Sequence, residues 1–199
     1  MNLKTRKRKP PPASQTPALD TRTRLVEAAG EEFNSVGFSG TDTNRIARKA
    51  GFAPQTFYRH FDDKLDVFLA VYARWRNEEA KALAKAANAF SGQGRSRAAA
   101  TVIIRHHRDW AIFRRSLRML AVEEPRVRAA RTAGRQEQLS ALAALPANAS
   151  RSSGELAAAI LTVERLCDAL ADEEPRDLGI SDSQWIRTIV AAVAAARGD

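Results

Sequence analysis

The stretch "GFAPQTFYRHFDDK", residues 51–64, combines features that a solvated loop has no use for. Gly51 followed by the apolar Phe52 reads as a helix stop, at a turn that a Cβ would strain. Pro54 then suits the first turn of a second helix, where its missing N–H is not needed. Phe57 and Phe61 stand four residues apart, so they share one helix face and read as core. Pro54, Gln55, Thr56, Tyr58, Arg59 and His60 are spread over the other sides and the rim. A short helix anchored from beneath by aromatics, with such groups outside, is equipped to grip phosphates and read base edges.

Upstream, "TDTNRIARKAG" (residues 41–51) reads as a short helix capped by Thr41 or Thr43 and buried through Ile46, Ala47 and Ala50. Before it, Asp20 is a good N-cap for a longer helix that buries Leu25, Ala28, Ala29, Phe33 and Val36. Gly37 suits a left-handed stop, with Phe38 over Phe33 as the hydrophobic contact of a Schellman motif. Downstream, Asp62 or Asp63 caps a long helix over about residues 64–89, with a stripe of Leu65, Phe68, Leu69, Tyr72 and Trp75. Two short helices meeting at a glycine turn make a helix-turn-helix. The alternative, an αα-hairpin with an incidental polar face, leaves the aromatic anchors, the capped first helix and the flanking Lys64 without a purpose.

At 199 residues the chain has room for one or two domains with a sizeable core. Its wealth of Ala and Arg and its 7% aromatic content favour helices. The formal charge of +9, with a pI near 10.4, suits a polyanionic partner. Charge alone also fits many basic proteins that bind no nucleic acid. The lone Cys167 excludes an intramolecular disulfide and a cysteine-rich metal site, and its Leu and Val neighbours predict a buried structural thiol. No apolar run approaches the roughly 18 residues of a membrane span. The N-terminal "MNLKTRKRKPPPASQTP" has no hydrophobic segment behind it, so no secretory signal is expected and the expected compartment is the cytoplasm. Residues 1–18 read as a disordered basic arm with Lys4, Arg6, Lys7, Arg8 and Lys9 and no acid. Such an arm is either a solubilising tail or a contact to DNA phosphates or a minor groove.

Residues 20–75 resemble the N-terminal domain of the TetR family of bacterial transcriptional regulators. The likeness is continuous over "LVEAAGEEFNSVGFSGTDTNRIARKAGFAPQTFYRHFDDKLDVFLAVY", about a quarter of the chain. Its pattern, T-x-x-I-A-x-x-A-G-x-x-x-x-T-x-Y-x-H-F-x-x-K, is carried by Thr43, Ile46, Ala47, Ala50, Gly51, Thr56, Tyr58, His60, Phe61 and Lys64. One departure is Ala53, where a Ser N-cap is usual, a loss of about 1 kcal/mol that Pro54 partly offsets by pre-setting φ. The resemblance implies that Thr43, Tyr58, His60 and Lys64 hold phosphates. It implies that Asn44, Arg48, Pro54, Gln55 and Thr56 face the major groove or its edge. Arg59 takes either a guanine or a phosphate.

Beyond Phe90, "SGQGRS" reads as a loop. Ile103, His107, Trp110, Phe113, Leu117 and Leu120 then recur at three- to four-residue steps, a stripe that core packing accounts for in the main. The resemblance implies that these middle helices also surround a ligand pocket, for which Trp75 and the residues of that stripe are the candidate lining. Residues 95–135 hold eleven arginines against three acids. One or two turned inward would suit a carboxylate or acyl-type ligand. His106 and His107 point to different helix faces with no carboxylate cluster at ligand spacing, so no metal is expected. Final helices over about 154–171 and 182–197 carry Leu156, Ile160, Val163, Cys167, Leu170 and Trp185, Ile186, Ile189, Val190, Val193. Both stripes suit an internal core or, as the resemblance implies, a four-helix dimer interface.

The expected architecture is all-α: an arm at 1–18, a helix-turn-helix domain at 19–65, and a helical ligand-binding and dimerisation domain at 66–199. The resemblance implies a ligand-responsive DNA-binding regulator, a repressor. Its partners would be a double-stranded operator, an unidentified small-molecule effector and a homodimeric mate, with no other cofactor and no membrane. Two rivals stand beside it. An enzyme using the apolar pocket has no Ser/His/Asp, Cys/His, metal or phosphate-loop constellation behind it. A DNA-binding organiser without a ligand would need a body that lacks a metabolite-sized pocket.

Overall fold

The first helix begins earlier than its capping pattern suggests. The protein's structure, a computed structural model, describes residues 17–198, so the basic cluster Lys4 to Lys9 and the arm through residue 16 lie outside the described residues. Helix α1 (Pro17–Val36) takes in the last two residues assigned to the arm and places Asp20 inside the helix, with proline at the first turn. There follow α2 (Thr43–Lys49), α3 (Pro54–Phe57), α4 (Lys64–Ala89), α5 (Gly92–Asp109), α6 (Ala111–Glu123) and α7 (Pro125–Ala143). The chain closes with α8 (Ser153–Ala171), α9 (Glu174–Asp177) and α10 (Asp182–Arg197), and no strand occurs among the described residues.

Helices α1 to α3 form a head around Phe33, Ile46, Phe57 and Phe61, all but fully buried. The cap of α2 is neither threonine but Asp42, whose carboxylate accepts the Arg45 N–H at 2.8 Å. Thr41 is instead buried against Glu32, and Thr43 is already helical. At Gly37 (φ +74°) Phe38 does stack on Phe33, with ring centroids 5.8 Å apart. The Phe38 N–H, however, donates to Ser116 Oγ, so α1 ends with the simpler Gly37-to-Phe33 bond. The full Schellman pair belongs to Gly51 (φ +79°), with Phe52 N–H to Ala47 and Gly51 N–H to Arg48.

Helix α4, capped by Asp63, runs unbroken from head to body, so the expected division at 65/66 falls within its first turn. Its buried face is Val67, Phe68, Val71, Tyr72 and Trp75; Leu65 and Leu69 are only half-buried, because α1 and α6 crowd the adjacent stripe. The segment "SGQGRS" is not a loop: Ser91 precedes α5 and the remainder forms its first turns. A second core joins Ala100 and Ile104 of α5 to Val163, Cys167 and Leu170 of α8 and Ile189 and Val193 of α10. These stripes are therefore filled within one chain. The outward faces carry other residues: Ala158, Leu161 and Thr162 on α8, and Arg187, Thr188 and Ala191 on α10.

Candidate nucleic-acid interface and internal cavity

The polar groups of α2 and α3 divide into those that brace the head and those that face outward. Glu32, buried on α1, accepts from Thr41 Oγ1 at 3.2 Å and Lys49 Nζ at 3.1 Å, and pairs with Arg45 Nε at 2.5 Å. Burial opposes its ionisation, but Lys49, Arg45 and Thr41 together hold its carboxyl below the usual range. This one side chain fixes α2 on α1. The sequence reading missed it, although Glu32 falls on the Ala28–Ala29–Phe33 face, where an unpaired acid would not be tolerated. Arg24 braces the turn, donating to the Ala50 carbonyl at 2.8 Å with its guanidinium over Phe52.

Lys64 belongs to the same bracing set. Its Nζ donates to the carbonyls of Phe38 (2.8 Å) and Thr41 (2.9 Å) and lies over the Phe38 ring, and burial lowers its pKa. Thr43 and Tyr58 join the start of α2 to the end of α3 by a hydroxyl pair at 2.9 Å, with the Tyr58 ring largely exposed. Asn44, Arg48, Gln55 and Arg59 are exposed and make no side-chain hydrogen bond or ion pair within the described residues. Pro54, Thr56 and His60 sit half-buried at the edge of this face. Ala53 supplies no side-chain cap to α3. Glu32 and Glu31 neutralise Arg45 and Lys49, so the unmatched cations of the face are Arg48 and Arg59.

The body contains a cavity of about 370 Å³ among α4, α5, α6, α7, α8 and α10. Of the candidate lining residues, Trp75, Ile103 and His107 face it. Phe113, Leu117 and Leu120 do not, and Trp110 does not either. The chain turns at Trp110, so α6 presents this stripe to α1 and α4 and completes the core between head and body. Sequence spacing shows the stripe but not which neighbour it faces.

Of the arginines of residues 95–135, Arg95, Arg114 and Arg135 line the cavity, and the most buried, Arg114 at 3% exposed, is not free to take a ligand carboxylate. Its Nε and Nη2 donate to Asp168 and its Nη2 also to Glu164 (2.8, 3.1 and 3.0 Å). Arg131 and Arg135 complete the partners of Glu164, and Arg118 reaches Asp168 and Asp172. Burial works against both carboxylates, yet these partners hold Glu164 at about 2 and Asp168 lower still. His107 donates its Nδ1–H to Asp168, while burial and then Arg114 push the imidazole down to about 4, so it is neutral. Burial pushes the Cys167 thiol up to about 12, an inert core group. Among the described residues no group of His, Cys, Asp and Glu is arranged to hold a metal.

Helix α6 also ties body to head. Asn34 on α1 donates to the Asp109 carbonyl at 2.6 Å and accepts the Phe113 N–H at 3.3 Å, and Ser116 accepts from Phe38. Arg114, at the cavity, and Phe113 and Ser116, at the head, are thus neighbours on one helix.

Comparison with known proteins separates the two regions in the same way. Residues 25–71 match the sequence model described as "Bacterial regulatory proteins, tetR family". Over 56 residues the chain is 45% identical to the HTH-type transcriptional regulator SrpR of Pseudomonas putida. Over 57 residues it is 39% identical to an HTH-type transcriptional regulator of Staphylococcus aureus. These matches cover 28% and 29% of this chain, and 26% and 31% of the relatives' own length. Solved structures match nearly throughout. A transcriptional regulator from Rhodococcus superposes with a TM-score of 0.70 at 14% identity over 88% of this chain and 95% of the other. The fatty acid degradation regulator FadR from Bacillus halodurans gives 0.66 at 14% identity over 94% and 96%. At such identities the likeness is one of fold alone.

Proposed function

From the premise that this chain belongs to the TetR family of bacterial regulatory proteins, we propose that it is a DNA-binding transcriptional regulator, a ligand-responsive repressor. The observation that carries this is the outer face of α2 and α3. Asn44 and Arg48 on α2, Gln55 on α3 and Arg59 in the turn after it stand exposed without a side-chain bond among the described residues, while Arg45, Lys49 and Lys64 are spent on bracing. Amides and guanidiniums so held have the donors and acceptors to read adenine and guanine edges. The Thr43–Tyr58 hydroxyl pair is placed to meet a phosphate.

The cavity supports the effector part of the proposal, since about 370 Å³ is in the range of small-molecule sites. Helices α4 and α6 each touch both cavity and head, so a ligand that shifts either would reposition α3, and DNA would in turn weaken the ligand. Assembly as a homodimer would use the outward faces of α8 and α10, whose small residues around the exposed Leu161 permit close helix approach. The two α3 helices would then meet successive major grooves roughly 34–36 Å apart. Leu161→Glu with Ala191→Glu should yield monomers of unaltered fold, read by sedimentation velocity and circular dichroism. Selection of bound fragments from a genomic DNA pool tests the regulator itself. A shared near-palindromic site is expected, and uniform retention of all fragments would contradict it.

A further inference from the structure

Two polar side chains on one face of α4 line the cavity without a hydrogen-bond partner among the described residues. Trp75 is 3% exposed, and its indole Nε1–H has no hydrogen-bond partner. Glu79, 6% exposed, likewise makes no hydrogen bond or ion pair within the described residues. Both line the cavity. They lie four residues apart on α4, hence on one face and on the order of 6 Å apart along its axis. A buried donor and a buried carboxyl each cost free energy when left unpaired, so two adjacent orphans at a cavity wall mark where a ligand's complementary groups belong.

Arg114 and Arg76 attract the Glu79 carboxylate through space, but neither bonds it directly. Arg114 holds Asp168 and Glu164, Arg135 holds Glu164, and Arg76 bonds Glu137 and the Gly134 carbonyl. Arg95, at the Phe90 end, donates to a backbone carbonyl. Arg76, Arg114 and Arg135 are thus committed to the protein's own acids, Arg197 is the remaining cation of the lining, and of the two lining acids Glu79 is the one without a hydrogen bond or ion pair among the described residues.

We propose that the cavity takes an apolar amine: a cation that pairs with the Glu79 carboxylate, bearing a hydrogen-bond acceptor about one helical turn away that meets the Trp75 indole N–H. The Ala84, Ala87, Ala99 and Ile103 side chains supply the apolar wall for its hydrocarbon part. Burial pushes the Glu79 carboxyl up to about 7, so an incoming cation also restores the charged form that burial disfavours. This rests on the cavity being the effector site.

A matched series on one scaffold tests it: 3-(1-naphthyloxy)propylamine, the corresponding alcohol and the corresponding carboxylate, titrated calorimetrically into the full chain at pH 8 without DNA. The amine is expected to bind about 10–100-fold more tightly than either analogue, the span of a desolvated charge-assisted pair. Glu79→Gln should remove that preference while leaving the alcohol's affinity intact, which also reports that the variant folds. Trp75→Phe should weaken all probes that share the ether oxygen. The proposal is overturned if the carboxylate or the alcohol binds as well as the amine, if Glu79→Gln keeps the amine preference, or if none binds at millimolar concentration. Release of operator DNA is measured separately. An amine that binds without releasing DNA sinks the effector role and leaves the chemistry of the cavity standing.

Discussion

Head and body each bury acids, and they use them differently. In the head, Glu32 is a hub: one carboxylate gathers Thr41, Arg45 and Lys49 and fixes α2 on α1. In the body, Glu164 and Asp168 gather Arg114, Arg118, Arg131 and Arg135 around a cavity, while Glu79 beside them gathers nothing. The first arrangement spends inner polar groups on rigidity and leaves an outer face unmatched. The second pairs Arg114, Arg131 and Arg135 with its own acids and leaves Trp75 and Glu79 without a hydrogen bond at the cavity wall. A surface suited to a polyanion and an interior suited to a small molecule follow from where the unmatched groups lie, and the net charge of +9 distinguishes neither.

The body's network is the more exposed to a single change. Arg114→Ala takes from Asp168 and Glu164 their most deeply buried partner, leaving Asp168 to Arg118 and His107 and Glu164 to Arg131 and Arg135, and removing one partner of a buried ion pair costs about 3–5 kcal/mol. Urea unfolding should show a loss of that size, and a loss below about 1 kcal/mol would mean that the network carries little of the body's stability. Acid should act in the same direction. Carboxylates held low in the fold contribute stability above their ordinary range and lose it as pH falls toward their depressed values.

Glu79 runs the other way and gives the next largest effect. Its folded value of about 7 lies above the ordinary 4.5, so stability is fully present below 4.5 and declines as pH rises through 7. The decline is on the order of 3 kcal/mol. Glu79→Gln should therefore gain on the wild type steadily between pH 5 and pH 8 in paired melting curves. A difference that is flat with pH would place the Glu79 carboxyl in contact with water or with a partner.

The head offers the smallest effect and the cleanest sign. Ala53 has the extended backbone of an N-cap (φ −67°, ψ 150°) and no side-chain bond to give. Ala53→Ser should stabilise α3 by about 1 kcal/mol through a bond to the Thr56 N–H. An unchanged melting temperature would show that Pro54 already sets the start of this helix.

The contrast also explains what the sequence disclosed. The head's elements depend on local signals: Asp63 and the helix behind it, Pro54 at a first turn, Phe57 and Phe61 at i, i+4, Gly51 at positive φ. The start and end of α4, α8 and α10 were legible for the same reason. The body's partners are not local. Arg114 meets Asp168 across 54 residues, and Ser116 replaces the bond that Phe38 would make to its own helix. Eleven arginines in one segment could be counted, but not sorted into braces and lining. Val163 and Val193 show the limit in its simplest form: an apolar stripe reveals that it is covered, and only the packing of α5 reveals that the cover lies within the same chain.

Base discrimination by the head tests the central claim most directly. A panel of duplexes carrying every single substitution across the selected site would be measured by fluorescence anisotropy against wild type, Gln55→Ala and Tyr58→Phe. Gln55→Ala is predicted to lose about 1–3 kcal/mol of preference at one or two base pairs of each half-site and to keep the rest. Tyr58→Phe is predicted to weaken all duplexes alike, as a phosphate-side contact does. A Gln55→Ala profile that matches wild type at every position would contradict the assignment of this face to sequence reading.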